Sequence, residues 1–172
     1  ICLKKWNGDL WPDVSNEALL STIESWLSPF LLSVKKYEDF KNIDYTSALL
    51  SCLSYQQQMD FERLVPEKIE VPSGSLIKLE YRRDGFPPIL SVRLQELFGL
   101  IDTPKINNEK TTIVIHLLTP GFKPVQITQD LRSFWKNTYP EIKKEFRMQY
   151  PKHSWPDDPF TAKAVRGVVR KK

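Results

Sequence analysis

The apolar residues of this chain change their spacing twice along the sequence, and this change limits the folds available to it. In the first third they recur at helical intervals, as across residues 19–27. Residues 75–82 alternate apolar with polar or charged side chains, the two-residue period of a half-buried strand. Helical spacing returns across residues 131–150. A helical segment, a run of strands and a second helical segment predict an α+β fold.

Capping residues and prolines divide the first third into three predicted helices. The first is entered at 11–13 (WPD) with Ser15 and ends at Pro29. Asp44 is predicted to cap the second helix and Ser54 the third, because short polar side chains accept hydrogen bonds from the first free backbone amides. We interpret this part as an N-terminal helical unit whose apolar stripes pack on each other or on a neighbour.

The middle of the chain contains three to five short predicted strands. Helical segments of crossover length are absent between them, so we expect a small antiparallel sheet. The predicted strands are 69–71, 75–82, 89–93, 112–118 and 125–128.

The last third is predicted to form helices followed by an extended, basic tail. Thr138-Tyr139-Pro140-Glu141 has the pattern of a capping box, so a new helix is expected to begin there and to end at Pro151. Residues 151–159 form a proline-rich strap, and residues 163–172 are basic. The predicted domains are a helical unit at 1–68, a sheet domain with C-terminal helices at 69–150 and the strap and tail at 151–172. One compact domain containing all three is the alternative.

Composition excludes several classes of protein. The chain has 172 residues, 41% of them hydrophobic, and no apolar run approaches the ~20 residues of a membrane span. Its 2 cysteines, Cys2 and Cys52, cannot form a disulfide framework. We therefore expect a cytoplasmic protein without a membrane partner.

Positive charge is concentrated at the C-terminal end. Residues 1–121 carry a net charge of −3 and residues 122–172 a net charge of +7, together with 8 of the 20 aromatic residues. Basic segments with interspersed aromatic residues are typical of nucleic-acid binding, although a solvated basic surface gives the same pattern. The candidate nucleic-acid-binding residues are Arg132, Lys136, Lys143, Lys144, Arg147, Lys152, His153, Trp155, Arg166 and Arg170.

The sequence contains none of the common catalytic or metal-binding motifs. None of the 6 glycines is followed by lysine, as a P-loop requires, and the Cys-x-x-Cys, His-Glu-x-x-His and Gly-x-Ser-x-Gly spacings are missing. His116 lies in a predicted apolar strand, where a structural role is favoured. We therefore predict no catalytic residue, no metal site and no cofactor within this chain.

Several strings of residues resemble the C-terminal domain of HrpB-type bacterial ATP-dependent helicases of the DEAH-box (DExH) class. The resemblance extends from Trp11 to Pro159 and departs from the family pattern at Phe122-Lys123 and in the extreme tail. The strings are WPD at 11–13, VPSGS at 71–75, VRLQELFG at 92–99, HLLTP at 116–120, PVQITQDL at 124–131, FWK at 134–136, KKE at 143–145, YPKH at 150–153 and WPDDP at 155–159.

The resemblance implies a parent protein in which two RecA-like domains upstream bind ATP and Mg²⁺. On this basis the chain is predicted to be a nonenzymatic accessory module of an RNA helicase that binds single-stranded RNA. The alternative is an interaction module that docks on the upstream helicase domains, or on a partner protein, through the proline-rich strap and the apolar helices.

Overall fold

The computed structural model describes residues 1–168, which divide into two units. The helical unit comprises residues 1–65 and 83–86, and the sheet unit comprises residues 66–82 and 87–168. Arg170, one of the predicted nucleic-acid-binding residues, lies outside the described residues.

The helical unit contains five short α-helices. They are α1 (Cys2–Asn7), α2 (Asn16–Ser21), α3 (Ile23–Leu27), α4 (Tyr45–Leu50) and α5 (Tyr55–Leu64). The predicted first helix is interrupted at Thr22, whose hydroxyl donates to the carbonyl oxygen of Ala18.

Two of the predicted caps are confirmed in this unit. An Asp44 carboxylate oxygen accepts a hydrogen bond from the Ser47 amide at 3.0 Å, and the Ser54 hydroxyl accepts one from the Gln57 amide at 3.3 Å. The hydrophobic core here is small. Leu3, Trp11 and Leu64 are buried at its centre, with partly buried residues packed around them.

The sheet unit is built on a five-stranded sheet. Its strands are β1 (Lys68–Glu70), β2 (Leu76–Glu80), β3 (Ile89–Arg93), β6 (Val114–Leu118) and β7 (Pro124–Thr128). They lie side by side in the order β1-β2-β3-β6-β7. The strands β4 (Lys105–Ile106) and β5 (Thr111–Thr112) form a separate hairpin. The α+β class is confirmed.

The sheet is mixed, which corrects the prediction that it is antiparallel throughout. Strands β3 and β6 run parallel, with Leu90 opposite Ile115 and Val92 opposite Leu117. The prediction assumed that a parallel pair requires a crossover helix. Here the crossover is made by a 3₁₀ turn (Leu94–Glu96) and the β4–β5 hairpin, which provide the required length without an α-helix.

The C-terminal helical segment begins at Leu131, where helical spacing returns in the sequence. Helix α6 (Leu131–Ser133), a π-helical segment (Phe134–Thr138) and α7 (Tyr139–Gln149) follow one another directly. Helix α7 begins at Tyr139 as predicted, but Thr138 has helical backbone angles and makes no side-chain cap, so the predicted capping box is wrong. The cap is Asp130, whose carboxylate accepts from the Ser133 amide at 2.8 Å. The π segment ends two residues before Pro140, which cannot donate the backbone hydrogen bond of a regular helix.

Aromatic residues of this helical segment pack in the core of the sheet unit. Phe98, Phe134, Trp135 and Tyr139 are each at most 2% exposed. The Trp135 indole lies 5.7 Å from the ring of Phe98 and donates to the carbonyl oxygen of Leu100 at 2.8 Å. The Tyr139 hydroxyl donates to the carbonyl oxygen of Pro156, which ties the strap to the helix. Burial raises the pKa of Tyr139.

Candidate nucleic-acid interface

Nine of the ten residues predicted to contact nucleic acid lie within residues 1–168, and these nine do not form one uniform cationic surface. Arg132 was expected to be a free cation, but it is paired with a carboxylate. Its guanidinium donates two hydrogen bonds of 2.9 Å to the two carboxylate oxygens of Asp102. Both side chains are at least half exposed, and the hydrogen bond from Arg132 lowers the pKa of the Asp102 carboxyl. The bidentate pair leaves Arg132 less available to a phosphate.

Two further predicted cations converge on a single carboxylate in the strap. The Lys143 ammonium and the Arg147 guanidinium lie 2.7 and 2.9 Å from the same oxygen of Asp157. Their hydrogen bonds lower the pKa of the Asp157 carboxyl. Arg147 also donates to the carbonyl oxygen of Trp155 at 2.8 Å. These side chains fasten the strap to α7, and their positive charge is partly compensated.

Three predicted cations remain exposed and without an ion pair within the described residues 1–168. They are Lys136 in the π segment, Lys144 on α7 and Lys152 in the strap. All three lie in the stretch 131–152, so the helical segment and the start of the strap carry the predicted cations that are available for phosphate contacts.

The strap contradicts the interpretation of Trp155 as an exposed stacking residue. Trp155 is 5% exposed, its ring lies 5.1 Å from that of Phe146, and its indole donates to the carbonyl oxygen of Tyr150. The strap folds back on α7 because the indole buries apolar area there while its N–H finds a backbone acceptor. The buried ring is therefore unable to stack with a base or to anchor a partner protein.

The surroundings of His153 disfavour its charged form. Its Nδ1 lies 2.9 Å from the Gln95 amide nitrogen, which donates to it. Burial, together with the nearby Arg93, lowers the pKa of His153. Gln95 is fully buried, and its Oε1 has no hydrogen-bond partner within residues 1–168.

Arg166 binds backbone carbonyl groups instead of standing free. Its guanidinium donates to the carbonyl oxygen of Ser73 at 3.1 Å and to that of Gly74. The residue therefore connects the C-terminal segment to the turn between β1 and β2.

A buried polar network around Glu96 was not predicted from the sequence. The Glu96 carboxylate accepts hydrogen bonds from the Ser75 hydroxyl at 2.5 Å, the Ser73 hydroxyl at 2.8 Å and the Arg93 guanidinium at 2.9 Å. Burial raises the pKa of Glu96, but these three hydrogen bonds outweigh it and lower the pKa below the ordinary value. The strings VPSGS and VRLQELFG were visible in the sequence, yet nothing in it indicated that they meet.

A cluster of His, Cys, Asp or Glu side chains that could hold a metal ion is not found among residues 1–168. Likewise, no helix in the described part of the chain is long and apolar enough to cross a membrane.

Comparison with known proteins assigns the chain to a family. The model of the HrpB-type family "ATP-dependent helicase C-terminal" matches residues 26–159, well over half of the chain. The chain belongs to this family of helicase C-terminal domains. The resemblance seen in the sequence is thereby confirmed.

One relative is the ATP-dependent RNA helicase HrpB of Escherichia coli strain K12, which is 40% identical over 167 residues. The match covers 96% of this chain and 20% of that protein, so the chain spans about one fifth of the length of the curated relative. Two solved structures are also similar. One is a crystal structure of the E. coli DExH-box NTPase HrpB, 40% identical with a TM-score of 0.91, covering 96% of this chain and 20% of that chain.

The other is a crystal structure of the E. coli DEAH/RHA helicase HrpB, which is 39% identical with a TM-score of 0.74. It covers 90% of this chain and 19% of that chain. The five-stranded sheet and helices described above are therefore the fold of a helicase C-terminal domain.

Proposed function

We propose that this chain is the nonenzymatic C-terminal module of an ATP-dependent RNA helicase and that its helical unit docks on the upstream helicase domains of the same protein. ATP and Mg²⁺ would be bound by those upstream domains, since this chain has no Gly-Lys dipeptide from which a P-loop could be built.

The observation that carries the docking proposal is the excess of exposed apolar side chains in the helical unit. Four hydrophobic residues are buried there, whereas twelve large ones are exposed. The exposed set comprises Ile1, Leu10, Leu20, Ile23, Leu32, Tyr37, Phe40, Tyr45, Leu49, Tyr55, Met59 and Phe86. Exposed apolar residues that lie together mark surfaces covered by another protein segment, and the proposal is that these twelve include such a surface. The helicase relative contains about four fifths of its length outside the matched region, which supplies such a segment.

Hydrogen exchange provides the test of docking. We expect amides of α2 to α5 to exchange more slowly in the full-length parent than in the 172-residue chain, because docking covers them. Replacing the exposed Leu32 and Tyr37 by aspartate in the parent should restore fast exchange in the helical unit. The matched control is Met148→Asp, at a residue that is 78% exposed in the sheet unit. Equal exchange in the parent and in the 172-residue chain would exclude docking through this unit.

A second proposed function, contact with single-stranded RNA, is favoured by the charge of the sheet unit. The described residues of that unit, 66–82 and 87–168, carry 15 Lys and Arg against 11 Asp and Glu, a net charge of +4. Lys136, Lys144 and Lys152 are exposed and form no ion pair within residues 1–168, so they retain their full attraction for phosphates.

The salt dependence of RNA affinity tests this function. Each phosphate contact contributes a slope of about −0.7 to log K against log salt for single strands. We expect Lys136→Gln and Lys144→Gln each to reduce the slope by about this amount. Arg132→Gln serves as the control and should change the slope less, because Arg132 is already paired with Asp102. Absence of binding at low salt, or a slope near zero, would refute RNA contact.

A further inference from the structure

The turn between β6 and β7 presents Phe122 to solvent from a left-handed backbone conformation. Phe122 has a φ of 61° and is 66% exposed. A bulky side chain disfavours this region, so the surrounding structure must impose the conformation. Three hydrogen bonds around Thr119 impose it. The Thr119 amide donates to the carbonyl oxygen of Lys123 at 2.8 Å, and the Phe122 amide donates to the carbonyl oxygen of Thr119 at 2.9 Å. The Lys123 amide donates to the Thr119 hydroxyl at 3.1 Å.

The Phe122 ring is supported from one side by a cation that is itself held in place. The guanidinium carbon of Arg93 lies 5.2 Å from the centroid of the Phe122 ring, within the range of a cation–π interaction. Arg93 is fixed by its hydrogen bond of 2.9 Å to Glu96, and the serine hydroxyls of the β1–β2 turn fix Glu96 in turn. The aromatic ring is thus held in position before any ligand arrives, which lowers the entropic cost of binding to it.

From this arrangement we infer that Phe122 is a stacking platform for one base of a single-stranded nucleic acid. The inference rests on the RNA contact proposed above and names the residue that would meet a base. An exposed aromatic ring accepts any base, because every base has a π face. The neighbouring Lys123 is exposed and forms no ion pair within residues 1–168, so it can contact the phosphate next to the stacked base.

Charge favours a nucleic acid over a protein as the occupant of this platform. The cation Arg93 lies over the Phe122 ring, the next residue in the chain is the exposed Lys123, and the carboxylate that accepts from Arg93, that of Glu96, is buried. A polyanion with planar groups satisfies both the charge and the shape of this surface. Trp155, the one Trp, Tyr or Phe among the ten candidates predicted from the sequence, is buried, whereas Phe122 is exposed.

The test is equilibrium binding of the 172-residue chain to an oligouridylate of about ten nucleotides and to an abasic strand of the same length. We expect Phe122→Ala to weaken oligouridylate binding by about 5- to 100-fold, the range found for loss of one base–aromatic stack. Phe122→Trp should bind within about twofold of the wild type, since it keeps a stacking ring. The salt slope should be the same for wild type and Phe122→Ala, because the ring contacts no phosphate. Binding to the abasic strand should not respond to either substitution.

The controls separate failure of this inference from failure of the RNA function. Ile127→Ala removes an apolar side chain that is 64% exposed on β7 of the same hairpin, and it should leave affinity unchanged. If the wild type binds oligouridylate and Phe122→Ala binds equally well, the stacking platform is refuted while the lysine contacts stand. A wild type that does not bind at low salt refutes both. Equal losses for Phe122→Ala and Ile127→Ala would indicate a general change in the hairpin and would also refute the platform.

Discussion

The buried carboxylate of Glu96 allows a quantitative prediction about the stability of the sheet unit. Its side chain is 5% exposed and accepts hydrogen bonds from Ser73, Ser75 and Arg93. Glu96→Gln keeps the shape of the side chain but removes the charge. A hydrogen bond to a charged group contributes about 1.5–3 kcal/mol, against about 0.5–1.5 kcal/mol for a neutral one. Three bonds that each lose about 1 kcal/mol give an expected loss of about 3 kcal/mol in the free energy of unfolding.

Urea denaturation at pH 7, followed by far-UV circular dichroism, measures this loss directly. A loss of about 3 kcal/mol in a chain of this size corresponds to a fall in Tm of roughly 6–12 °C. Glu141→Gln is the matched control, because Glu141 is an exposed carboxylate on α7. We expect the control to change stability by less than about 0.5 kcal/mol.

The difference in the free energy of unfolding between the wild type and Glu96→Gln should depend on pH, and this dependence tests the charge on Glu96. The pKa of Glu96 is lower in the folded chain than the ordinary value of 4.5. The unfolded state therefore binds a proton first, and the stability contributed by the carboxylate is present above about pH 4.5 and is lost as the pH falls through the folded pKa. The gap between wild type and Glu96→Gln should shrink in that acidic range. If the two proteins show the same urea midpoint at pH 7 and the same acid response, the network does not stabilise the fold as we argue.

Three further predictions follow from contacts in the C-terminal part of the chain. Trp155→Ala should lower the free energy of unfolding by about 3–5 kcal/mol, because a buried aromatic ring is removed; a cost below about 1 kcal/mol in a urea titration would contradict its burial. Asp130→Ala should cost about 1 kcal/mol as the loss of a helix cap, whereas Thr138→Ala should be nearly neutral in the same measurement because Thr138 makes no cap. Asp157→Asn frees Lys143 and Arg147 and should raise RNA affinity and steepen its salt dependence; unchanged binding would show that these cations face away from the RNA.

Features that depend on neighbouring residues were predictable from the sequence. The positions of β3 and β7, and the caps formed by Asp44 and Ser54, agree with the structure, because alternation and capping act within a few residues of chain. Thr138 is the instructive exception. Its capping pattern is local, but the buried Phe134 and Trp135 upstream hold the chain helical through that point, so packing outweighs the local signal.

Features that depend on distant residues were not predictable. The parallel pairing of β3 with β6 required knowing how residues 94–113 return along the sheet. Contacts between distant residues were also not predictable in the candidate site. Arg132 could be identified as a cation from the sequence, but its partner Asp102 lies 30 residues away and only the fold brings them together.

The α+β class, the family and the excess of positive charge can be read from the sequence alone, since each is carried by local pattern or by composition. Packing in three dimensions selects which of those charges and rings remain available to a ligand. It paired Arg132, Lys143 and Arg147 with carboxylates, buried Trp155 and left Phe122 exposed over Arg93. The physical reason is that ion pairing and burial act through space between residues far apart in the chain, and a sequence lists those residues without the distances between them.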